Sequence, residues 1–195
     1  MATPEGQARN EEIFRTAAEL MVTRGYAGTS MGDLAKAVGM TKAGLYHHIS
    51  SKQDMLFQIL LHAMEGLERT VIEPAKHIKD PEERLREILR LHVRGLFENG
   101  LEFALLFPER RHLEPAQQQA VIQRVKNYLD LISEALRELE DEGKLQDLDI
   151  DIAARHILQT IAGIARWYTK DSGITEDLLV EQTVNFNMSA VLKSS

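Results

Sequence analysis

Four groups of residues have the types and spacing to do chemistry. Gly28-Thr29-Ser30-Met31-Gly32 spells G-x-S-x-G, the sharp turn that lifts a nucleophilic serine above an α/β sheet, so a small hydrolase using Ser30 with a histidine is one reading. Lys42, Tyr46, His47 and His48 group donors and a phenol beside Gly44, which leaves room for close approach to a base edge or a phosphate. Glu109-Arg110-Arg111-His112 is the compact basic cluster of the C-terminal three-quarters, either a solvated turn or a cradle for an anion. The seven histidines include no HExxH and no i, i+4 pair with a matching acid. No metal site or cofactor is therefore expected.

The serine motif and the basic group share one stretch, residues 29–52, and the local pattern there decides between them. Thr29 and Ser30 are side-chain caps, and Met31, Leu34 and Ala35 follow at helical spacing. Gly39 can take the left-handed conformation that ends this helix, and Thr41 can cap a second helix whose Leu45 and Ile49 lie four apart. Two short helices across a glycine turn make either a solvated hairpin or a helix-turn-helix, whose second helix enters the DNA major groove. A nucleophile elbow needs a strand before its serine, whereas a helix-patterned segment, Ile13 to Arg24, precedes Ser30.

Ile13, Ala17, Ala18, Gly25-Tyr26, Thr29-Ser30, Asp33-Leu34-Ala35, Ala37-Val38-Gly39-Met40-Thr41, Gly44-Leu45-Tyr46-His47-His48-Ile49 and Ser51-Lys52 stand in an order and spacing that resembles the N-terminus of TetR-family transcriptional regulators. The resemblance covers about a quarter of the chain and involves many positions at once. It departs at Ile49, where the family usually has an aromatic residue. The resemblance implies an all-α fold: a three-helix DNA-binding head at 1–52 and a ligand-binding and dimerisation body at 53–195. It also implies operator contacts from Thr29, Ser30, Thr41, Lys42, Gly44, Tyr46, His47 and Lys52. Lys52 is expected to meet a phosphate at a helix N-terminus.

Charge fits this arrangement only in its distribution. The net charge is −7. Residues 1–52 carry six Lys+Arg against five Asp+Glu, while residues 53–195 carry 17 against 25. Counterion release needs cations at the interface, so a mildly basic tip on an acidic body suggests that two copies bind together. There are no cysteines. The start Met1-Ala2-Thr3-Pro4-Glu5-Gly6 lacks a signal-peptide pattern, and no run of about 18 apolar residues occurs, so a cytoplasmic protein without membrane contact is expected.

The elements that follow read as helices throughout. Residues 1–7 read as a loose terminus, and Ser51 with Asp54 opens a helix whose Leu56, Ile59, Leu60, Ala63 and Leu67 run toward Pro74. Asp80-Pro81 starts another, with Leu85, Ile88, Leu89, His92 and Leu96 inward and a break at Asn99-Gly100 before a short segment from Leu101 to Pro108. Gln117 to Glu142 gives the strongest amphipathic pattern, stopped by Gly143. Asp149 to Tyr168 is apolar on two sides, and Thr175-Glu176 opens the last helix. These two suit half of a four-helix dimer interface.

A ligand-responsive repressor, not an enzyme, is the reading these elements favour. A helical protein-interaction scaffold is the remaining alternative. The residues around Arg166-Trp167-Tyr168 and Gly173-Ile174-Thr175 are similar to those of TetR-family regulators of fatty-acid and related acyl-CoA degradation. An elongated effector with an anionic head, of acyl-CoA type, is then expected near His92, Phe103, Phe107, Tyr128 and Trp167, with Arg110 and Arg111 on its phosphates. The same aromatics serve equally as ordinary core, and His92 as a core histidine satisfied by one hydrogen bond.

Overall fold

The computed structural model of the chain describes residues 4–193, and the regular structure among them is helical, with one isolated antiparallel bridge between Leu145 and Leu192. Helix α1 spans Pro4–Arg24, α2 Met31–Ala37, α3 Lys42–His48 and α4 Lys52–Leu67. A π-helical stretch, Glu68–Ile72, carries α4 on into α5, Glu73–Ala75. Then come α6 (Pro81–Glu109), a 3₁₀ turn (Arg110–His112), α7 (Pro115–Asp141), α8 (Ile150–Trp167) and α9 (Glu176–Val191). None of the helices is long and apolar enough to cross a membrane.

Two expectations are corrected. Residues 4–7 are not loose but helical, because Pro4 suits the first helical position, where the missing N–H costs nothing. Residues 1–3 lie outside the described residues. Asn99-Gly100 does not break the chain, and α6 runs on for 29 residues to Glu109 with Pro108 in its last turn. A glycine in a helix costs about 1 kcal/mol. Burying Phe103, Leu105 and Leu106 just beyond it returns roughly 1.5–3 kcal/mol each.

The chain forms two compact units. One takes the chain up to Glu65 together with Asn99–Ile122; the other takes Gly66–Glu98 together with the chain from Gln123 on. Packing therefore divides the chain elsewhere than at residue 52, the boundary expected from role. The first unit's core includes Ala17, Met21, Leu34, Leu45, Leu56, Ile59 and Leu60, so that α1 supplies the apolar cover that two seven-residue helices lack. The second unit's core includes Leu85, Ile88, Leu89, Ile132, Leu136, Ile157 and Ile161. In that unit Gln146 N–H donates to the Val191 carbonyl and Lys193 N–H to the Lys144 carbonyl, each at 2.9 Å, which fastens the end of α9 to the turn after α7.

Candidate nucleic-acid interface

The α2–α3 pair is built from local caps. Ser30 Oγ accepts from Asp33 N–H at 3.2 Å, while the Asp33 carboxylate accepts from Ser30 N–H at 3.0 Å and from its hydroxyl at 2.5 Å. These hydrogen bonds hold the Asp33 carboxyl below the usual carboxylate range. The hydroxyl of Ser30 is thus committed to a capping box, and residues 28–32 run from one helix toward another. The strand that a nucleophile elbow requires does not precede it. Among the described residues no group of three or more His, Asp or Glu side chains is placed to hold a metal ion.

Gly39 stands at φ +68°, a left-handed conformation that permits the elbow between the helices. Thr41 Oγ1 then accepts from Gly44 N–H at 3.0 Å and caps α3. A Cβ on Gly44 would lie 3.1 Å from that same oxygen, so a larger residue here would press on the cap by a few tenths of an ångström. Leu45 is fully buried and Ile49 nearly so, and this turns Lys42, Tyr46, His47 and His48 outward. Tyr46 is 46% exposed, high for an aromatic side chain on so small a helix.

The eight expected contact residues separate into two groups. Ser30, Thr41, Lys42, Tyr46 and His47 are exposed and Gly44 half-buried, all on α2–α3 or their caps. Thr29 and Lys52 are turned to internal use. Thr29 is 2% exposed and its hydroxyl donates to the Gly25 carbonyl at 2.9 Å, because the tight turn after α1 leaves that carbonyl without a helical partner. Lys52 Nζ donates to the carbonyls of Tyr26 and Thr29, each at 2.8 Å, and sits 4.2 Å from the centre of the Tyr26 ring. Its charge satisfies backbone rather than projecting from the helix start, which Ser51 caps through Asp54 N–H at 3.0 Å. Lys36, exposed in the last turn of α2, is a cation of this surface that sequence reasoning passes over. Its place one turn before the Gly39 elbow is the available signal.

The residues expected at an effector site are distributed over both units. In the second, His92 and Tyr128 are buried and joined, Nδ1 to hydroxyl, at 2.7 Å. Burial lowers the His92 pKa from 6.5 to about 3 and raises that of Tyr128. Trp167 is 53% exposed and meets the Tyr168 ring edge-on. In the first unit, Phe103 is buried, Phe107 lies at the surface, Arg110 is half-buried and Arg111 exposed.

Comparison with known proteins agrees with this geometry. The family described as "Bacterial regulatory proteins, tetR family" matches residues 13–59, and "Tetracyclin repressor-like, C-terminal domain" matches residues 79–191. The HTH-type transcriptional repressor KstR2 of Rhodococcus jostii (strain RHA1) is 26% identical over 183 residues, which cover 89% of this chain and 86% of the relative. The crystal structure of AibR in complex with isovaleryl coenzyme A and operator DNA is 32% identical, with a TM-score of 0.81 over 91% of this chain and 97% of AibR. PfmR from Thermus thermophilus, described as a TetR family transcriptional regulator, is 29% identical with a TM-score of 0.82 over the same shares.

Proposed function

The chain belongs to the TetR family of bacterial regulatory proteins, and on that premise we propose that it is a homodimeric repressor released from its operator by an acyl-CoA thioester. The observation that carries the DNA-binding part is the outward face of α3: Lys42, Tyr46, His47 and His48 stand exposed on a helix whose Leu45 is held in the core. Side chains in that position reach phosphates first and base edges second.

The dimer is proposed on α8 and α9. In the second unit these helices pack together and leave a groove of about 500 Å³, lined by Ile152, His156, Phe186 and Asn187 among others. Ile152 is 54% and Phe186 67% exposed, so a lone subunit would present two large apolar side chains to water on the same groove. A second copy covering that groove by two-fold symmetry would bring two α3 helices into one assembly, as half-sites about 34–36 Å apart require.

The effector class is supported by AibR, whose structure contains isovaleryl coenzyme A and operator DNA, and by Arg110 and Arg111, guanidiniums suited to nucleotide phosphates. A ligand releases the operator only to the extent that it binds the released state more tightly. Duplexes selected from a random-sequence pool on the full-length protein supply the probe. Fluorescence anisotropy with those duplexes, titrated with isovaleryl-CoA and longer acyl-CoAs, tests the proposal. Release by at least one thioester and by neither free coenzyme A nor the free acid is expected; release by none overturns the effector class and leaves the DNA reading in place.

A further inference from the structure

Tyr26 sits at the first turn after α1 and is 9% exposed. Two side chains far from it in sequence, both in the first unit, lie against its ring. The Lys52 ammonium lies 4.2 Å from the ring centre, and the His112 imidazole stacks on it with centroids 4.5 Å apart and planes 19° from parallel. His112 belongs to the 3₁₀ turn between α6 and α7, and its carbonyl accepts from Gln53 Nε2 at 2.6 Å. The α6–α7 turn is therefore pinned twice, by its ring to the α1–α2 turn and by its backbone to the start of α4.

The α1–α2 turn gains what it lacks from these partners. The Tyr26 carbonyl accepts from Thr29 N–H at 3.2 Å and from Lys52 Nζ, and the Thr29 carbonyl accepts from Lys52 as well. Ser30, the cap of α2, follows directly. The contacts to Lys52 and His112 thus join this turn to distant parts of the sequence.

We propose that His112 is a positioning residue for operator binding: by stacking on Tyr26, together with Lys52, it fixes the turn from which α2, and through the Gly39 elbow α3, is launched. It touches no DNA and acts through Tyr26. The proposal rests on the DNA-binding reading for its consequence, though not for its geometry. The stack needs only an aromatic plane, so phenylalanine at 112 keeps it while giving up the 3.2 Å contact of the imidazole Nε2 with Glu109 inside the same turn, whereas alanine removes both and leaves the carbonyl bond to Gln53 intact.

The test compares the full-length protein with H112A and H112F, using duplexes selected on the unaltered protein, together with hydrogen exchange and thermal melting. H112A is expected to bind these duplexes roughly three- to tenfold more weakly, the effect of one aromatic stack, with an unchanged salt slope because no phosphate contact is lost. The amides of residues 26–34 are expected to exchange faster, and H112F to restore both affinity and exchange. Unchanged affinity and exchange in H112A overturn the proposal. So does a well-folded H112F that fails to restore them, and so does a salt slope lowered by about one, which would make His112 a phosphate contact. Should no duplex be selected, the DNA reading fails, while exchange at residues 26–34 still decides whether His112 holds the turn.

Discussion

His92 Nδ1 and the Tyr128 hydroxyl lie 2.7 Å apart with their rings edge-on, inside the second unit where neither meets water. Both residues are among those near which the sequence places an effector. As built, each satisfies the other, which is what burial demands of a polar group. Tyr128→Phe removes the hydroxyl that Nδ1 meets and should cost about 1 kcal/mol, the net worth of one buried hydrogen bond. A fall in the urea midpoint with an unchanged m-value is the expected record.

The same histidine sets an acid limit. Its folded pKa, about 3, lies below the 6.5 of the unfolded chain, so between these values the unfolded state binds more protons. Stability from keeping His92 neutral is complete above about pH 6.5 and is lost as pH falls toward 3. His92→Phe should flatten the decline of stability over that window. An equally steep decline would place its origin in other groups.

Glu102 behaves oppositely. It is 2% exposed in the first unit, its Oε2 has no hydrogen-bond partner, and burial raises its pKa, with His62 and Arg15 pulling the other way. With a folded pKa above the unfolded one, the folded state holds the proton longer, so stability falls as pH rises from about 4.5 through the folded value. Glu102→Gln removes the buried charge. It should raise the melting temperature more at pH 7.5 than at about pH 4, since burial penalises only the ionised carboxyl.

How much of this is legible depends on the range of the interaction. The caps at Ser30 and Thr41, the elbow at Gly39 and the stops at Gly25 and Gly143 lie within four residues of what they govern, and residue types alone disclose them. The inward stripe of α6, including His92, follows from spacing. The continuity of α6 across Asn99-Gly100 does not, because local propensity there is outweighed by burial contributed from elsewhere in the fold. Lys52 escapes sequence reasoning for a related reason. A lysine at a helix start reads as an anion site, and only the folded turn shows two carbonyls 26 and 23 residues away accepting its hydrogen bonds. The link from Gln53 to His112 spans 59 residues and carries no periodicity at all.

Lys52→Ala separates the two roles open to this lysine. With the ammonium spent on the Tyr26 and Thr29 carbonyls, the substitution should weaken operator binding several-fold through the turn and leave the salt slope unchanged. A slope lower by about one would return Lys52 to the phosphate contacts.

Phe186→Asp tests the proposed dimer. Placed at the exposed groove of α8 and α9, the charge should yield monomers in sedimentation that still melt cooperatively. Ile164, on the same helix α8, is 3% exposed, so a charge there should unfold the subunit instead. A Phe186→Asp protein that sediments as a dimer would move the interface off these helices.

The central claim is that the outward face of α3 binds DNA, and salt-dependent anisotropy with selected duplexes measures it most directly. Lys42→Ala should weaken binding to every duplex and lower the salt slope by about one for each phosphate it neutralises. Tyr46→Phe, which keeps the ring and removes the hydroxyl, should weaken binding without unfolding the head, because Tyr46 is exposed and packs no core. Enrichment of no duplex by the unaltered protein, or full affinity and an unchanged slope in both variants, would contradict the account.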